Sequence, residues 1–271
     1  MEINRNNIAE IIDKTSIKPD KDYGQNFLIE PLISEKIVNA LNIKEDETVL
    51  EVGPGLGSLT HYLSLIDNRV TVVDIDKRMA GFLKVVYKDN KNIEIVENDI
   101  RKVDVSKYNK VIGNLPYNIT TELIQFFLIN CNRCGRFVFM IQNETFAHFY
   151  DVEGKEYGPT SVLIHLLGNI NKLFLVKAGS FYPAPKCSSV VFTIDINLVC
   201  DRTTIIETFK LAKQLFVNRR KTILNNLTNT LKNRDSAAKL CEDLCINPLL
   251  RPEQISPQLY LKIYQYLQNK R

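Results

Sequence analysis

The chain has 271 residues, of which 45% are hydrophobic and 24% are charged, and its formal net charge is +4. This composition excludes an intrinsically disordered chain, because it supplies enough apolar side chains to bury a sizeable core. Residues 1–22 lack the apolar run of a signal peptide, and no stretch approaches about 18 uninterrupted apolar residues, so we expect a cytoplasmic protein without a membrane span.

Residues 1–22 predict a helix at Ile8–Thr15 followed by a loop, and from Glu47 onward short apolar segments alternate with segments of helical periodicity. The predicted strands are Thr48–Val52, Val70–Ile75, Ile93–Val96, Lys110–Ile112 and Phe137–Ile141. The predicted helices between them include Ser58–Ile66, Lys77–Tyr87 and Thr120–Asn130. Apolar strands that alternate with helices predict an α/β fold with a Rossmann-like, doubly wound and mostly parallel sheet.

The C-terminal part of the chain has a different pattern. A last strand is predicted at Ser189–Ile196, and helical periodicity begins at Thr203 and continues to the end. Three helix starts carry N-cap residues: Asp201, Asp235 and Ser256, the last followed by Pro257. We therefore predict a large α/β domain over residues 1–200, with 1–22 as an extension, and a small helical domain over residues 201–271.

A glycine-rich loop, Glu51-Val52-Gly53-Pro54-Gly55-Leu56-Gly57, follows the first strand of the sheet and precedes a helix. At this edge of an α/β sheet the backbone comes close to a ligand, and glycine leaves room for that approach. The spacing is not the G-x-G-x-x-G of dinucleotide-binding proteins, and the loop carries no Lys or Arg for a pyrophosphate. The loop therefore favours a ligand without phosphates.

Acidic residues follow the next two strands. Asp74 lies about twenty residues beyond the glycines, where a carboxylate can accept hydrogen bonds from ribose hydroxyls, and Asp99 follows the third strand. Helix N-capping is the alternative role for both, although Asp76 is better placed to be the cap after Asp74. The glycine loop and the two acids in register are typical of class I methyltransferases, which bind S-adenosylmethionine.

Asn114-Leu115-Pro116-Tyr117 follows the fourth strand and so opens toward the same crevice. An exocyclic adenine amine is a poor nucleophile, because its lone pair is delocalised into the ring. The Asn114 side-chain oxygen and the Leu115 carbonyl are suited to accept its N–H bonds, and Tyr117 is suited to stack on a flipped base. In isolation the four residues also fit a strand-end turn with a buried tyrosine.

With these motifs the sequence resembles the ribosomal RNA adenine dimethyltransferases of the KsgA family, from about Tyr23 to the end of the chain. The further matching segments are Gly24-Gln25-Asn26-Phe27-Leu28, Tyr157-Gly158, Phe181-Tyr182-Pro183-Ala184-Pro185-Lys186, Asn218-Arg219-Arg220-Lys221-Thr222 and Leu250-Arg251-Pro252-Glu253-Gln254-Ile255-Ser256. The cofactor contacts that the resemblance and the glycine loop imply are Asn26, Leu28, Gly53, Gly55, Asp74, Asp99 and Asn114. By the same resemblance Asp99 lies near the cofactor's adenine, and Phe181 forms the second aromatic wall of the base pocket. Asp74 stands where the family usually has Glu.

The C-terminal motifs resemble the branch of the family that dimethylates two adjacent adenosines near the 3′ end of 16S rRNA in the small ribosomal subunit or its precursor. That branch implies a monomer. The alternatives are a large-subunit (23S) enzyme of the macrolide-resistance type and a non-catalytic RNA-binding assembly factor. A DNA adenine methyltransferase is less favoured, because Leu115 stands where such enzymes have proline.

Basic residues are concentrated in residues 201–240, which hold nine Lys and Arg against three acidic residues, a net charge of +6. We expect Arg219, Arg220 and Lys221 to contact RNA phosphates, with an ordinary solvated helix face as the alternative. Cys131 and Cys134 have a C-x-x-C spacing, but a structural zinc site needs four ligands. We expect reduced thiols and no metal.

Overall fold

The computed structural model describes residues 1–15, 17–20 and 24–270. Tyr23, at which the resemblance begins, and Arg271, the last residue of the predicted helical domain, lie outside the described residues. The strands are β1 Phe27–Leu28, β2 Val49–Val52, β3 Val70–Asp74, β4 Ile93–Glu97, β5 Lys110–Asn114, β6 Arg136–Gln142, β7 Gly168–Val176, β8 Phe181–Tyr182 and β9 Ser189–Ile196. The helices are α1 Ile8–Thr15, α2 Pro31–Asn39, α3 Ser58–Leu63, α4 Lys77–Val86, α5 Thr120–Asn130, α6 Asn143–Tyr150, α7 Pro159–Leu167, α8 Arg202–Phe216, α9 Ile223–Leu231, α10 Arg234–Asp243 and α11 Pro257–Asn269.

The main sheet has the strand order β4-β3-β2-β5-β6-β9-β7. The pairs β4–β3, β3–β2, β2–β5 and β5–β6 are parallel, and β9 is antiparallel to β6. The order reverses between β2 and β5, because β3 and β4 extend the sheet on one side of β2 and β5 on the other. Loops diverge at such a switch point and leave a crevice at the carboxyl ends of the strands.

The predicted α/β class with a mostly parallel sheet is confirmed, as are all six predicted strands, with ends that differ by at most two residues. The reason is that β2 and β3 are buried at every residue, so the apolar pattern of their sequences reflects their environment directly. The predicted helix starts at Asp201 and Ser256 are also confirmed, since each side chain accepts a backbone N–H of its helix. The start predicted at Asp235 is two residues too late, because Asn233 is the N-cap of α10.

Two features of the sheet structure were not predicted. The edge strand β7 has mostly exposed residues and no regular apolar pattern. β1 and β8 form a separate antiparallel pair of two residues each, whose partners are 153 and 155 residues apart in the chain. Pairs this short leave no periodicity that sequence reasoning can detect.

The contacts divide the chain into two compact units, and the division differs from the single boundary predicted near residue 200. The first unit comprises residues 1–144 and 171–196, and the second comprises residues 145–170 and 197–271. Residues 145–170 belong to the second unit because α7 packs against α8 and α11. The buried Tyr157 also donates a hydrogen bond to the Ile255 carbonyl over 2.9 Å. The functional roles assigned to the two predicted domains stay predictions.

In the part of the chain that the structure describes, no helix is both long and apolar enough to cross a lipid bilayer.

Candidate active site

A cavity of about 280 Å³ lies in the first unit, at the carboxyl ends of the central strands. Its walls come from the loops after β2, β3, β4 and β5 and from residues 24–28. All seven predicted cofactor contacts line it: Asn26, Leu28, Gly53, Gly55, Asp74, Asp99 and Asn114. Leu115, Pro116 and Tyr117 line it as well. The topology thus brings the glycine loop and the Asn114–Tyr117 segment, 60 residues apart in sequence, into one site.

The glycine loop makes a tight turn that other residues would not fit. Gly55 has a φ of +55°, and a Cβ there would lie 3.0 Å from the Phe27 ring. Gly57 has a φ of +91°, and its Cβ would lie 2.8 Å from Leu83 Cδ2. Both conformations favour glycine, because an L-residue with a side chain is strained at positive φ. The glycine loop therefore packs closely against Phe27 and Leu83, and no side chain of Gly55 or Gly57 takes up space at the cavity.

Asp74 ends β3 with its side chain 8% exposed. Its Oδ1 accepts the backbone N–H of Asp76 over 2.9 Å. Burial raises the pKa of Asp74 to about 6, although the surrounding N–H donors act in the opposite direction. As predicted, Asp76 is the cap of α4, since its carboxylate accepts the N–H of Arg78 over 3.0 Å. Asp74 is left to face the cavity.

Asp99 is a helix cap and also lines the cavity, so its predicted contact with the cofactor stays a prediction. It lines the cavity, and it also caps the short 3₁₀ turn Ile100–Lys102, where its Oδ1 accepts the N–H of Arg101 over 3.0 Å. The Arg101 guanidinium pairs with the same carboxylate, with 2.7 Å between Nη2 and Oδ2. This pairing holds the pKa of Asp99 below its ordinary value. Capping and ligand contact therefore do not exclude each other at this position.

Glu51 is a cavity residue that sequence reasoning quoted only as part of the glycine motif. It is fully buried in β2, and the Thr60 hydroxyl donates to its Oε2 over 2.7 Å. Its other oxygen, Oε1, has no hydrogen-bond partner among the described residues. Burial raises the pKa of the Glu51 carboxyl to about 8. The sequence did contain a signal for this residue, since Glu51 is an acid within a strand that is otherwise apolar. A buried carboxyl group with an unpaired oxygen is costly, and a bound ligand can offset that cost.

The raised pKa of Glu51 predicts a pH-dependent stability of the ligand-free protein. Between its ordinary value of 4.5 and about 8, the folded chain keeps a proton that the unfolded chain has released. The free energy of unfolding should therefore decrease as pH rises through this window. We expect Glu51→Gln, which is neutral at every pH, to lack this part of the decrease. Urea denaturation of both proteins between pH 5 and 9 measures the free energy of unfolding. The same pH dependence in the wild type and in Glu51→Gln would contradict the prediction.

The Asn114–Tyr117 segment leaves β5 at the cavity. Asn114 is half-buried, and its Nδ2 donates to the Asn26 carbonyl over 3.3 Å, which leaves Oδ1 as an acceptor. The Leu115 N–H is bound to the Met140 carbonyl over 3.0 Å, while no hydrogen bond to the Leu115 carbonyl is found within the described residues. The Tyr117 hydroxyl lies 3.2 Å from Ser189 Oγ. The segment thus offers two acceptors, Asn114 Oδ1 and the Leu115 carbonyl, and the ring of Tyr117, whose hydroxyl is hydrogen-bonded to Ser189.

Gly113, just before Asn114, was missed in the sequence. A Cβ at this position would lie 2.7 Å from the Val52 carbonyl oxygen of the neighbouring strand. Only glycine lets β5 approach β2 so closely, and this approach places Asn114 beside the glycine loop. A glycine inside an otherwise apolar strand was the indication of a close backbone approach.

Phe181 lies outside the cavity lining. It is 3% exposed and packs in the hydrophobic core, and its partner in the β1–β8 pair is Leu28. Phe181 is thus next to the cavity residue Leu28 but does not itself line the cavity. Its role as an aromatic wall of a base pocket stays a prediction.

The predicted phosphate contacts belong to the second unit and differ in their surroundings. Arg219 forms an ion pair with Glu253, and its Nη2 donates to the Gly154 carbonyl over 2.8 Å. Arg220 and Lys221 are exposed. Arg219 therefore has a structural role within its unit, and the exposed pair retains the features expected of phosphate contacts.

Cys131 and Cys134 are both buried, and Cys134 Sγ contacts the Arg136 carbonyl at 3.2 Å. Across residues 1–15, 17–20 and 24–270, no group of three or more His, Cys, Asp or Glu side chains is arranged to hold a metal ion.

Comparison with known proteins gives consistent results. The family model described as ribosomal RNA adenine dimethylase matches residues 16–269. The ribosomal RNA small subunit methyltransferase A of Malacoplasma penetrans is 34% identical over 264 residues, which cover 95% of each chain. That of Mycoplasma capricolum is 32% identical over 265 residues, covering 93% of this chain and 98% of the relative. These names favour the small-subunit branch over the large-subunit branch and over a non-catalytic factor.

Solved structures support the same assignment. The crystal structure of a dimethyladenosine transferase from Plasmodium falciparum has a TM-score of 0.76 at 26% identity, covering 90% of this chain and 98% of that chain. The 23S rRNA methyltransferase ErmE has a TM-score of 0.70 at 20% identity, covering 90% of this chain and all of that one, which shows the fold alone. The class I methyltransferase fold predicted from the sequence is therefore confirmed. The chain is a methyltransferase and belongs to the ribosomal RNA adenine dimethylase family.

Proposed function

We propose that this protein uses S-adenosylmethionine to dimethylate the N6 amines of two adjacent adenosines near the 3′ end of 16S rRNA, in the small ribosomal subunit or its precursor. The observation that carries the proposal is the convergence of two kinds of group in one cavity. Acceptors for an amine come from Asn114 and Leu115, and carboxyl groups for the cofactor come from Glu51, Asp74 and Asp99. We further propose that it acts as a monomer in the cytoplasm.

The residues of the cavity fit S-adenosylmethionine on two grounds. The ligand carries a sulfonium and an ammonium group, and the buried Glu51 Oε1 is an acceptor without a partner among the described residues. Among the described residues that line the cavity, the basic one is Arg101, and its pairing with Asp99 and Glu122 makes it unavailable for a phosphate. Glu51 would serve the cationic end, Asp74 the ribose hydroxyls and Asp99 the adenine. When bound, the ligand supplies an electrophilic methyl group on sulfur.

The residues around Asn114 explain how a weak nucleophile can react. Asn114 Oδ1 and the Leu115 carbonyl accept the two N–H bonds of the adenine N6 amine. These hydrogen bonds favour a nitrogen whose lone pair is directed at the methyl group, and they stabilise the positive charge that develops on nitrogen. The Tyr117 ring, with its hydroxyl bonded to Ser189, supplies a surface on which the flipped base stacks. No strong base is required before methyl transfer.

The function is tested by offering the purified protein and labelled S-adenosylmethionine to three substrates: small subunits lacking the dimethylation, unmethylated large subunits, and DNA. We expect the label as N6,N6-dimethyladenosine in the small subunit alone. Label in the large subunit would select the macrolide-resistance type of enzyme instead. Absence of label from every substrate would overturn the proposal.

The exposed pair Arg220 and Lys221 is expected to contact RNA phosphates, whereas Arg219 is expected to stabilise the second unit. The double variant Arg220→Ala/Lys221→Ala should weaken RNA binding and reduce the salt dependence of log Kd by about two. Its melting temperature should be unchanged, because neither side chain has a described ion pair.

Arg219→Ala should instead destabilise the protein, because it leaves Glu253 without its partner. Filter binding to rRNA over a range of salt concentrations, together with thermal melting, separates the two effects. An unchanged salt slope in the double variant would argue that this surface does not bind RNA.

A further inference from the structure

Arg101 contacts both carboxylate oxygens of Asp99. Its Nε lies 3.0 Å from Oδ1 and 3.1 Å from Oδ2, and its Nη2 lies 2.7 Å from Oδ2. Its backbone N–H also donates to Oδ1. A carboxylate has about four lone-pair positions, so most of the hydrogen-bonding capacity of Asp99 is taken by one residue. These contacts hold the Asp99 carboxylate in one orientation.

The third nitrogen of the same guanidinium reaches another element. Arg101 Nη1 donates to Glu122 Oε1 over 2.7 Å, and Glu122 lies in the first turn of α5. That helix begins directly after the Asn114–Tyr117 segment. Glu122 and Tyr117 also line a shallow depression beside the main cavity. Arg101 therefore links the turn after β4 to the helix that follows the amine-binding segment.

We propose that Arg101 is a positioning residue, which aims the Asp99 carboxylate at the amino group of the cofactor's adenine and holds α5 in register with it. The inference rests on the proposed function, since it takes S-adenosylmethionine as the ligand of the cavity. It adds a residue that neither the motifs nor the resemblance assigned to the site. Asp99 touches the ligand, and Arg101 acts through it.

The chain contains a second capping pair, Asp76 and Arg78, which does not itself line the cavity, although Asp76 is hydrogen-bonded to the lining residues Gln25 and Asp74. Asp76 and Arg78 have the same spacing and the same fork, with Nε 2.9 Å from Oδ1 and Nη2 2.6 Å from Oδ2. Asp76 likewise caps a helix, and its pKa is likewise lowered by its arginine. Neither Asp76 nor Arg78 lines the cavity. Arg78→Gln therefore serves as the control for the loss of a capping ion pair.

Equilibrium binding of S-adenosylhomocysteine, the product of methyl transfer, is the direct test. In calorimetry at pH 7.5 we expect Arg101→Gln to bind about fivefold more weakly, as for the loss of a partly exposed ion pair with good geometry. Arg101→Lys should recover part of this loss, because lysine restores the positive charge but cannot contact both carboxylate oxygens as the planar guanidinium does. Arg78→Gln should bind like the wild type. In steady-state assays Arg101→Gln should raise KM for S-adenosylmethionine and leave kcat nearly unchanged.

The pH profile of binding supplies a second readout. Four charged groups are relevant to Asp99: Arg101 and Lys102 in its own turn, Glu122 of α5 through Arg101, and Asp74, which lines the same cavity. Since Arg101 lowers the pKa of Asp99, its removal should move the loss of affinity on acidification to higher pH. In Arg78→Gln the affinity should decrease on acidification at the same pH as in the wild type.

The outcomes separate the inference from the proposed function. Equal affinities and equal pH profiles for the wild type and Arg101→Gln would overturn the inference and leave the proposed function intact. An equal loss in Arg78→Gln would also overturn it, because the effect would then be one of general stability. Absence of binding to the wild type itself would overturn the proposed function.

Discussion

Replacing Asn114 with alanine is expected to lower kcat for methyl transfer by at least about a hundredfold, the magnitude found when one preorganised hydrogen-bonding group is removed from an active site. The substitution removes the Oδ1 acceptor for the target amine. The Leu115 carbonyl then remains as a single acceptor, and the charge that develops on the adenine nitrogen loses half of its stabilisation. Single-turnover methylation of unmethylated small subunits measures the effect.

The control for this variant is Asn132→Ala, which removes the same side chain from an exposed turn. It should react at the wild-type rate. Binding of S-adenosylhomocysteine to Asn114→Ala should persist in weakened form, since six other predicted contacts line the cavity. If Asn114→Ala kept its full rate, the amine-acceptor role of this segment would be wrong.

The second large effect is expected at Gly113, where alanine should destabilise the protein by about 1–3 kcal/mol and reduce methyl transfer as well. The added Cβ would meet the Val52 carbonyl at 2.7 Å and Leu115 Cδ2 at 3.3 Å. Because the first contact is with backbone, rotation of a side chain cannot relieve it. β5 must move away from β2, and Asn114 moves with it.

Gly81→Ala is the matched control, because nothing lies within 4 Å of a Cβ at that exposed position in α4. It should stabilise the protein by about 0.5–1 kcal/mol, as alanine does in place of glycine within a helix. Urea denaturation measures both variants, and the methylation assay of Gly113→Ala measures the displacement of Asn114. Equal stability of the two variants would show that the β2–β5 approach is not constrained as described.

The cavity combines carboxyl groups in two different electrostatic states. Glu51 and Asp74 have raised pKa values because they are buried, whereas Asp99 has a lowered pKa because of Arg101. A cationic ligand favours the ionised form of a neighbouring carboxyl. Ligand binding near neutral pH is therefore expected to release a proton from Glu51. Glu51 would then be neutral in the ligand-free protein and negatively charged when the cationic ligand is bound.

The sequence by itself determined the fold class and most of the residues that line the cavity. Buried strands are apolar throughout, and the glycine loop, the acids after each strand and the Asn114–Tyr117 segment all follow strands that end at one edge. Order along the chain was therefore enough to place them together. Caps such as Asp76 and Ser256 were also local, because a cap and its N–H donors lie within three residues of each other.

Only the tertiary structure decided the features that depend on partners far apart in the chain. It placed Phe181 in the core as the cross-strand partner of Leu28, paired Arg219 with Glu253, and joined residues 145–170 to the C-terminal helices. It also showed that Glu51 Oε1 has no hydrogen-bond partner in the described part of the chain and that Arg101 binds both Asp99 and Glu122. Whether a charged or aromatic side chain is free, paired or buried is set by neighbours that folding supplies, and no local pattern records them.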